Sequence, residues 1–238
     1  MDRNELLKTL EQGEIDVLGL VPWGSNYTFL TDICLDNLEI QAIYKPRNGE
    51  RPLWDFTRGS LCLRERSAYL VSEALGWHIV PPTILRKGPQ GFGSVQFFVE
   101  HDPNVTYFDF EGSYVEELQQ IALFDAMINN ADRKGGHIIR DYEEQLWGID
   151  QGLCFHTEYK LRTVIWEFAG RKISGKSLNA IRHFRDKLLA EGDVVGRELK
   201  SHLSKVEFKT LLHRVMELLE TGRFPQPGPG RPYPWPLV

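Results

Sequence analysis

A chain of 238 residues, 42% of them apolar and 26% charged, can bury a sizeable core as one large domain or two small lobes, and its composition excludes a disordered polypeptide. A net charge of -5 argues against a general nucleic-acid binder. Cys34, Cys62 and Cys154 are scattered without CxxC spacing, against a disulfide framework or a cysteine zinc site. Residues 1–16 lack an apolar targeting segment, and no apolar run approaches the ~20 residues of a membrane span. The expectation is a cytoplasmic monomer with no stable membrane insertion.

Residues 3–12 read as a short helix. "EIDVLGL" then reads as a strand, and "VPWGSN" as a turn. "YTFLTDICL" alternates, and Asp36-Asn37 suits a hairpin turn. "LEIQAIYK" alternates again and stops at Lys45, before Pro46. From Ser60 to Leu75 the spacing turns helical: Leu61, Arg64/Glu65, Ala68/Tyr69 and Ser72 share one face, and Gly76 is the stop. "PPTILRK" and "SVQFFVE" flank a Gly-rich turn and form a second hairpin. Residues 96–104 read as an extended connector. Residues 114–130 form a helix with Leu118, Ile121, Ala122, Phe124, Asp125 and Ile128 inward. "HIIRDYEEQLWGID" is a short hairpin. Residues 163–169, 177–190, 194–202 and 204–221 read as helices, with Trp147 and Trp166 as core. The tail "RFPQPGPGRPYPWPLV" carries six of the 13 prolines, a strap anchored by Phe224, Tyr233 and Trp235. The fold class is therefore α+β in two lobes: an antiparallel sheet plus helix at 1–98, a mostly helical lobe at 99–222, and a Pro-rich tail at 223–238. Clefts between such lobes are usual ligand sites.

The chemistry lies in "NNADRKGGHII". Asp132 is followed by Lys134 at +2 and His137 at +5, and Asp150 comes 18 residues after Asp132. Phosphoryl transfer needs cradled phosphates, a bridging metal and a carboxylate that orients the acceptor. Asp132 suits the acceptor's proton, Lys134 the charge on the transferring group, and His137 with Asp150 the metal. Lys45 ends a strand and Glu65 lies 20 residues on, in a helix, so the carboxylate can pin a phosphate-holding cation. Gly24 and Ser25 sit in a turn whose backbone N–H groups suit an anion, though a plain hairpin turn reads equally well.

"AIYKP", "RERSAYLVSEALG", "GSVQFFVE", "NNADRKGGHII" and "WGIDQGLCFH" together resemble the phosphatidylinositol 3-/4-kinase-like branch of the protein-kinase-like fold. The resemblance extends to type II phosphatidylinositol 4-kinases and HipA-like serine kinases, and spans roughly residues 14–160. It implies ATP as cofactor, with Mg²⁺ or Mn²⁺. It makes Lys45 the ATP-binding lysine, Glu65 its partner, Asp132 the catalytic aspartate and Asp150 the metal-binding aspartate. Gln96–Glu100 becomes the hinge, with Val99 meeting adenine. The family's usual residue at +5 is Asn, where this chain has His137. An imidazole suits Mn²⁺ better than an Asn oxygen does, and a pKa near the reference value of about 6.5 implies loss of activity on the acid side. The reading is a kinase whose acceptor hydroxyl belongs to a protein or small molecule. A nucleotide-binding pseudokinase and AMP transfer on the same fold are the alternatives.

Overall fold

The computed structural model describes residues 2–21, 26–110 and 112–238. Helix α1 (Arg3–Gln12) leads into strands β1 (Glu14–Leu20), β2 (Phe29–Leu35) and β3 (Leu38–Pro46). Helix α2 (Leu61–Leu75) follows, then β4 (Thr83–Gly88) and β5 (Gly91–Phe97). These strands form one antiparallel sheet in the order β1-β2-β3-β5-β4, with Lys45 opposite Ser94. Alternation drives burial along β3: Ile40, Ala42 and Tyr44 face a core shared with Leu6 and Leu10 of α1. Lys45 therefore takes the opposite face of the sheet.

The helical part begins with α3 (Val115–Ile128), which ends at Asn129 in the left-handed region (φ 54°), a stop that Asn tolerates well. The catalytic-loop candidate comes next, with one 3₁₀ turn at Gly135–His137. The short hairpin of β6 (Ile138–Arg140) and β7 (Leu146–Gly148) delivers the chain to Asp150. Helices α4 (Gly175–Leu189), α5 (Val194–His202) and α6 (Lys205–Thr221) complete this part. Side chains cap each of the three: Ser174 and Asp193 on α4 and α5, and a Ser204/Glu207 capping box on α6.

Three expectations need correction. Residues 163–169 are not a helix. Thr163 bridges the backbone of Arg133, and Val164 N–H donates to the Arg133 carbonyl, so this β-branched stretch is spent holding the catalytic loop. Helix α2 does not bury one face only: twelve of its fifteen residues are buried, because β4 and β5 pack on one side and α4 and α5 on the other. Trp147 and Trp166 are half-buried rather than core. Each keeps an indole N–H that needs an acceptor and finds one at the surface, Asp141 Oδ2 and the Pro232 carbonyl respectively.

The tail is a strap, and of its three expected anchors only Phe224 is buried. Phe224 is buried against Phe168, and Pro234 is buried further on, whereas Tyr233 and Trp235 are exposed. The Pro232 carbonyl also accepts from Thr163 N–H at 3.1 Å, and the Leu237 carbonyl accepts from Gly135 N–H at 2.7 Å. Among the described residues no helix is long and apolar enough to cross a membrane.

Candidate active site

A cavity of about 340 Å³ lies between the sheet and the catalytic loop. Its walls include Lys45, Glu65, Asp132, Lys134, His137 and Asp150. Six of the residues singled out from the sequence thus meet in one hollow. Gly24 and Ser25 fall outside the described residues. Val99 is not brought to this cavity; it is buried and lines a separate hollow with Gln41, Phe98, Glu100 and Trp147.

Lys45 lies between two carboxylates. Its Nζ donates to Glu65 Oε1 at 2.5 Å and to Asp150 Oδ1 at 2.9 Å. Burial works against its charge, but the two anions outweigh burial and hold its pKa above the usual lysine value. Lys45 in turn holds the half-exposed Asp150 carboxyl well below the usual carboxylate range. Glu65 is almost fully buried, and burial raises its pKa despite Lys45. Its second oxygen accepts from Gln151 N–H at 2.9 Å, so one helix residue fixes both the lysine and the chain just past Asp150.

On the other wall, burial lifts Asp132 to a pKa of about 6, with Lys134, 3.6 Å away, pulling the other way. A carboxylate poised near neutrality suits proton acceptance. His137 sits between the two aspartates. Its Nδ1 lies 3.0 Å from the Asp132 carbonyl oxygen, which can only accept, so Nδ1 carries the proton. The lone pair is then on Nε2, which lies 3.6 Å from Asp150 Oδ2. Burial pushes the His137 pKa down to about 4, so the ring is neutral at physiological pH. The acid-side loss expected near 6.5 from His137 is thus displaced to much lower pH.

Two electron-rich atoms facing one another are what a cation joins. Among the described residues no group of three or more His, Cys, Asp or Glu side chains forms a metal cage. Mg²⁺-type sites at phosphates commonly take only one or two protein ligands. His137 and Asp150 fit that need. Glu50 Oε2, on a residue in the cavity wall, is a buried acceptor without a hydrogen-bond partner among the described residues and adds to the demand for a cation or donor.

Sequence reasoning missed what holds the two aspartates together. Arg133 is fully buried and pairs with Asp125, its Nε 2.9 Å from Asp125 Oδ2. It also donates to the carbonyls of His137 and Ile149 and to Gln151 Oε1. Asn130 Oδ1 accepts from Asp132 N–H at 3.0 Å. The signal was an aspartate on the apolar face of α3, since a buried charge requires a partner. Glu50, Arg51 and Cys62 in the cavity wall were also missed, and Val238 of the tail lines it as well. Burial pushes the Cys62 thiol up to about 12, leaving it unreactive.

Residues 72–168 match the pattern of the family described as "Phosphatidylinositol 3- and 4-kinase", a stretch that holds the Asp132 loop and Asp150 but not Lys45 or Glu65. Over 98% of its length the chain is 39% identical to Protein Rv2133c of Mycobacterium tuberculosis, covering 96% of that protein. It is also 32% identical to phosphatidylinositol 4-kinase gamma 4 of Oryza sativa subsp. japonica, over 45% of this chain and 22% of the plant protein. The chain belongs to the phosphatidylinositol 3-/4-kinase-like family. Among solved structures, the Golgi casein kinase with Mn/ADP bound has a TM-score of 0.59 at 14% identity, covering 92% of this chain and 74% of that one. The Helicobacter pylori proinflammatory kinase CtkA has a TM-score of 0.55 at 12% identity, covering 90% and 94%. At these identities the likeness shows the fold alone: this family member has the protein-kinase-like α+β architecture, an antiparallel sheet followed by a helical part.

Proposed function

We propose that this chain is an ATP-dependent kinase that moves the γ-phosphate to a hydroxyl of a protein or small molecule. The observation that carries this reading is Lys45 held between Glu65 and Asp150 in the cavity that also contains Asp132. The sheet-bearing residues 1–98 bind the nucleotide and residues 99–222 supply the catalytic loop; Val99, which lines a separate hollow, is given no adenine contact. Lys45 grips phosphate oxygens, and Glu65 keeps its ammonium aimed into the cavity. The acceptor oxygen attacks the γ-phosphorus, the bond to the β-phosphate oxygen breaks, and ADP leaves. Asp132 orients the acceptor hydroxyl and takes its proton, while Lys134 offsets charge on the transferring group. His137 and Asp150 would hold Mg²⁺ or Mn²⁺, which supplies further neutralisation of the phosphates.

The test is phosphate transfer from γ-labelled ATP into a lysate of the protein's own source, with Asp150→Ala as control. A labelled acceptor with the intact chain and none with the variant supports the kinase. Stabilisation by ATP plus metal in a thermal shift, without transfer or ADP release, would leave only a nucleotide-binding regulator. His137→Asn separates the metals, because an amide oxygen is a harder ligand than imidazole. The rate with Mg²⁺ relative to Mn²⁺ is expected to rise several-fold in that variant. An unchanged ratio would remove His137 from the metal site.

A further inference from the structure

A second cavity, of about 640 Å³, lies where α3, α6 and the start of the tail meet, lined by no residue of the active site. Ala126, Leu161, Leu218 and Phe224 give it an apolar lining. Arg214 is in the same wall and only 9% exposed. Its Nε donates to the Met127 carbonyl at 2.7 Å and its Nη1 to the His156 carbonyl at 3.2 Å. A guanidinium has five N–H donors. Arg214 Nη2 is buried and has no acceptor among the described residues. The other buried arginines are matched, Arg64 by Glu207 and Arg133 by Asp125. Among the described residues Arg214 has no such ion pair, and Glu217, one turn on and exposed, acts on it only from a distance. Burial pulls its pKa down to about 10, so it still carries its charge at neutral pH.

A buried charge with two carbonyl partners and no counter-ion is costly unless something completes it. The volume falls within the range of small-molecule sites, which pair apolar walls with a few polar groups. Arg223 adds a cation to the lining and Glu217 an anion, so the surrounding charge suits one anionic head rather than a polyphosphate. The wall is also closely built. A Cβ on Gly228 would lie 2.4 Å from the Tyr159 ring, so only glycine lets the tail close against it. We propose that this cavity binds a small amphiphile whose single anionic head, carboxylate or phosphate ester, completes Arg214 while its apolar body fills the space beside Ala126 and Leu218.

Isothermal titration of the full chain with sodium octanoate, octyl phosphate, octanol and inorganic phosphate tests this. One of the two amphiphilic anions is expected to bind one-to-one, and which binds tighter identifies the head. Octanol should bind at least about tenfold more weakly, the scale of a hydrogen bond to a charged group, and inorganic phosphate not measurably. Arg214→Met should weaken the anion at least about tenfold. Ala126→Phe, which puts a ring into the cavity, should abolish binding even if the first variant fails to fold. Saturating ADP with Mn²⁺ should leave the octanoate heat unchanged, separating this site from the nucleotide cleft. Octanol binding as tightly as octanoate, binding retained in Ala126→Phe, or no heat from either anion at millimolar concentration would overturn the proposal.

Discussion

Asp132 gains proton affinity from burial, and the same burial makes it a cost to the fold. Its pKa is about 6 in the folded chain against 3.8 for an ordinary aspartate. The folded state therefore binds the proton more tightly, and stability falls as pH rises from below 3.8 through 6. Above that range the ionised side chain destabilises the protein by on the order of 2 kcal/mol, after allowance for its partial exposure. Asp132→Asn is expected to raise Tm by several degrees at pH 7.5, with the gain vanishing below pH 3.8, while phosphate transfer is lost. Melting curves across pH check the first half, and a variant no more stable than the parent at pH 7.5 would contradict the assigned burial effect. For the parent, the base form of Asp132 dominates only above pH about 6, so transfer should decline below that pH. His137 does not add to this limb, since it remains neutral down to about 4.

Between elements, the decisive pairing is β3 with α2. Lys45 and Glu65 were legible in the sequence because strand alternation fixes one direction and helical spacing the other. The all-round burial of α2 was not legible: twelve buried residues of fifteen leave no polar face, and only the packing of α4 and α5 against it explains that. Burial gives the pair a structural role beside the one proposed for it in nucleotide binding. Removing the ammonium strands the Glu65 carboxylate, whose side chain is only 3% exposed. Lys45→Met is expected to cost about 3 kcal/mol, the low end for breaking a buried pair. Adding Glu65→Gln should recover much of that loss, because the stranded charge is gone. Urea denaturation of the two single variants and the double variant measures the coupling. Additive losses would mean that the two groups do not share the buried contact. Residues 163–169 show the opposite limit of sequence reading: their periodicity fits a helix, but Thr163 and Val164 are held to Arg133 by contacts that no local pattern encodes.

Across the whole molecule, the order of strand-rich and helix-rich segments revealed the architecture, because strand alternation and helical spacing are local signals. What joins the parts is long-range, and it was only half legible. Arg133 ties the Asp132 loop to the chain before Asp150 through carbonyls that carry no residue signature. The tail's prolines announced a strap, but two of its three aromatics misled: Tyr233 and Trp235 are exposed, the latter under Arg231, while Phe224 and Pro234 are buried. Burial, not ring size, sets how much a residue anchors. A chain ended after Gly222 loses Phe224 and its contact with Phe168, a loss of about 3–5 kcal/mol if it behaves as a core Phe→Ala change. For a chain of this length that is roughly 6–20 °C in Tm. A chain ended after Gly230 keeps Phe224. It loses Pro234 and the carbonyls that serve Thr163, Trp166 and Gly135, whose N–H groups can turn to water at modest cost. Its Tm should therefore fall by less than half as much. Equal losses for the two truncations would place the anchor beyond residue 230 and make Phe224 incidental.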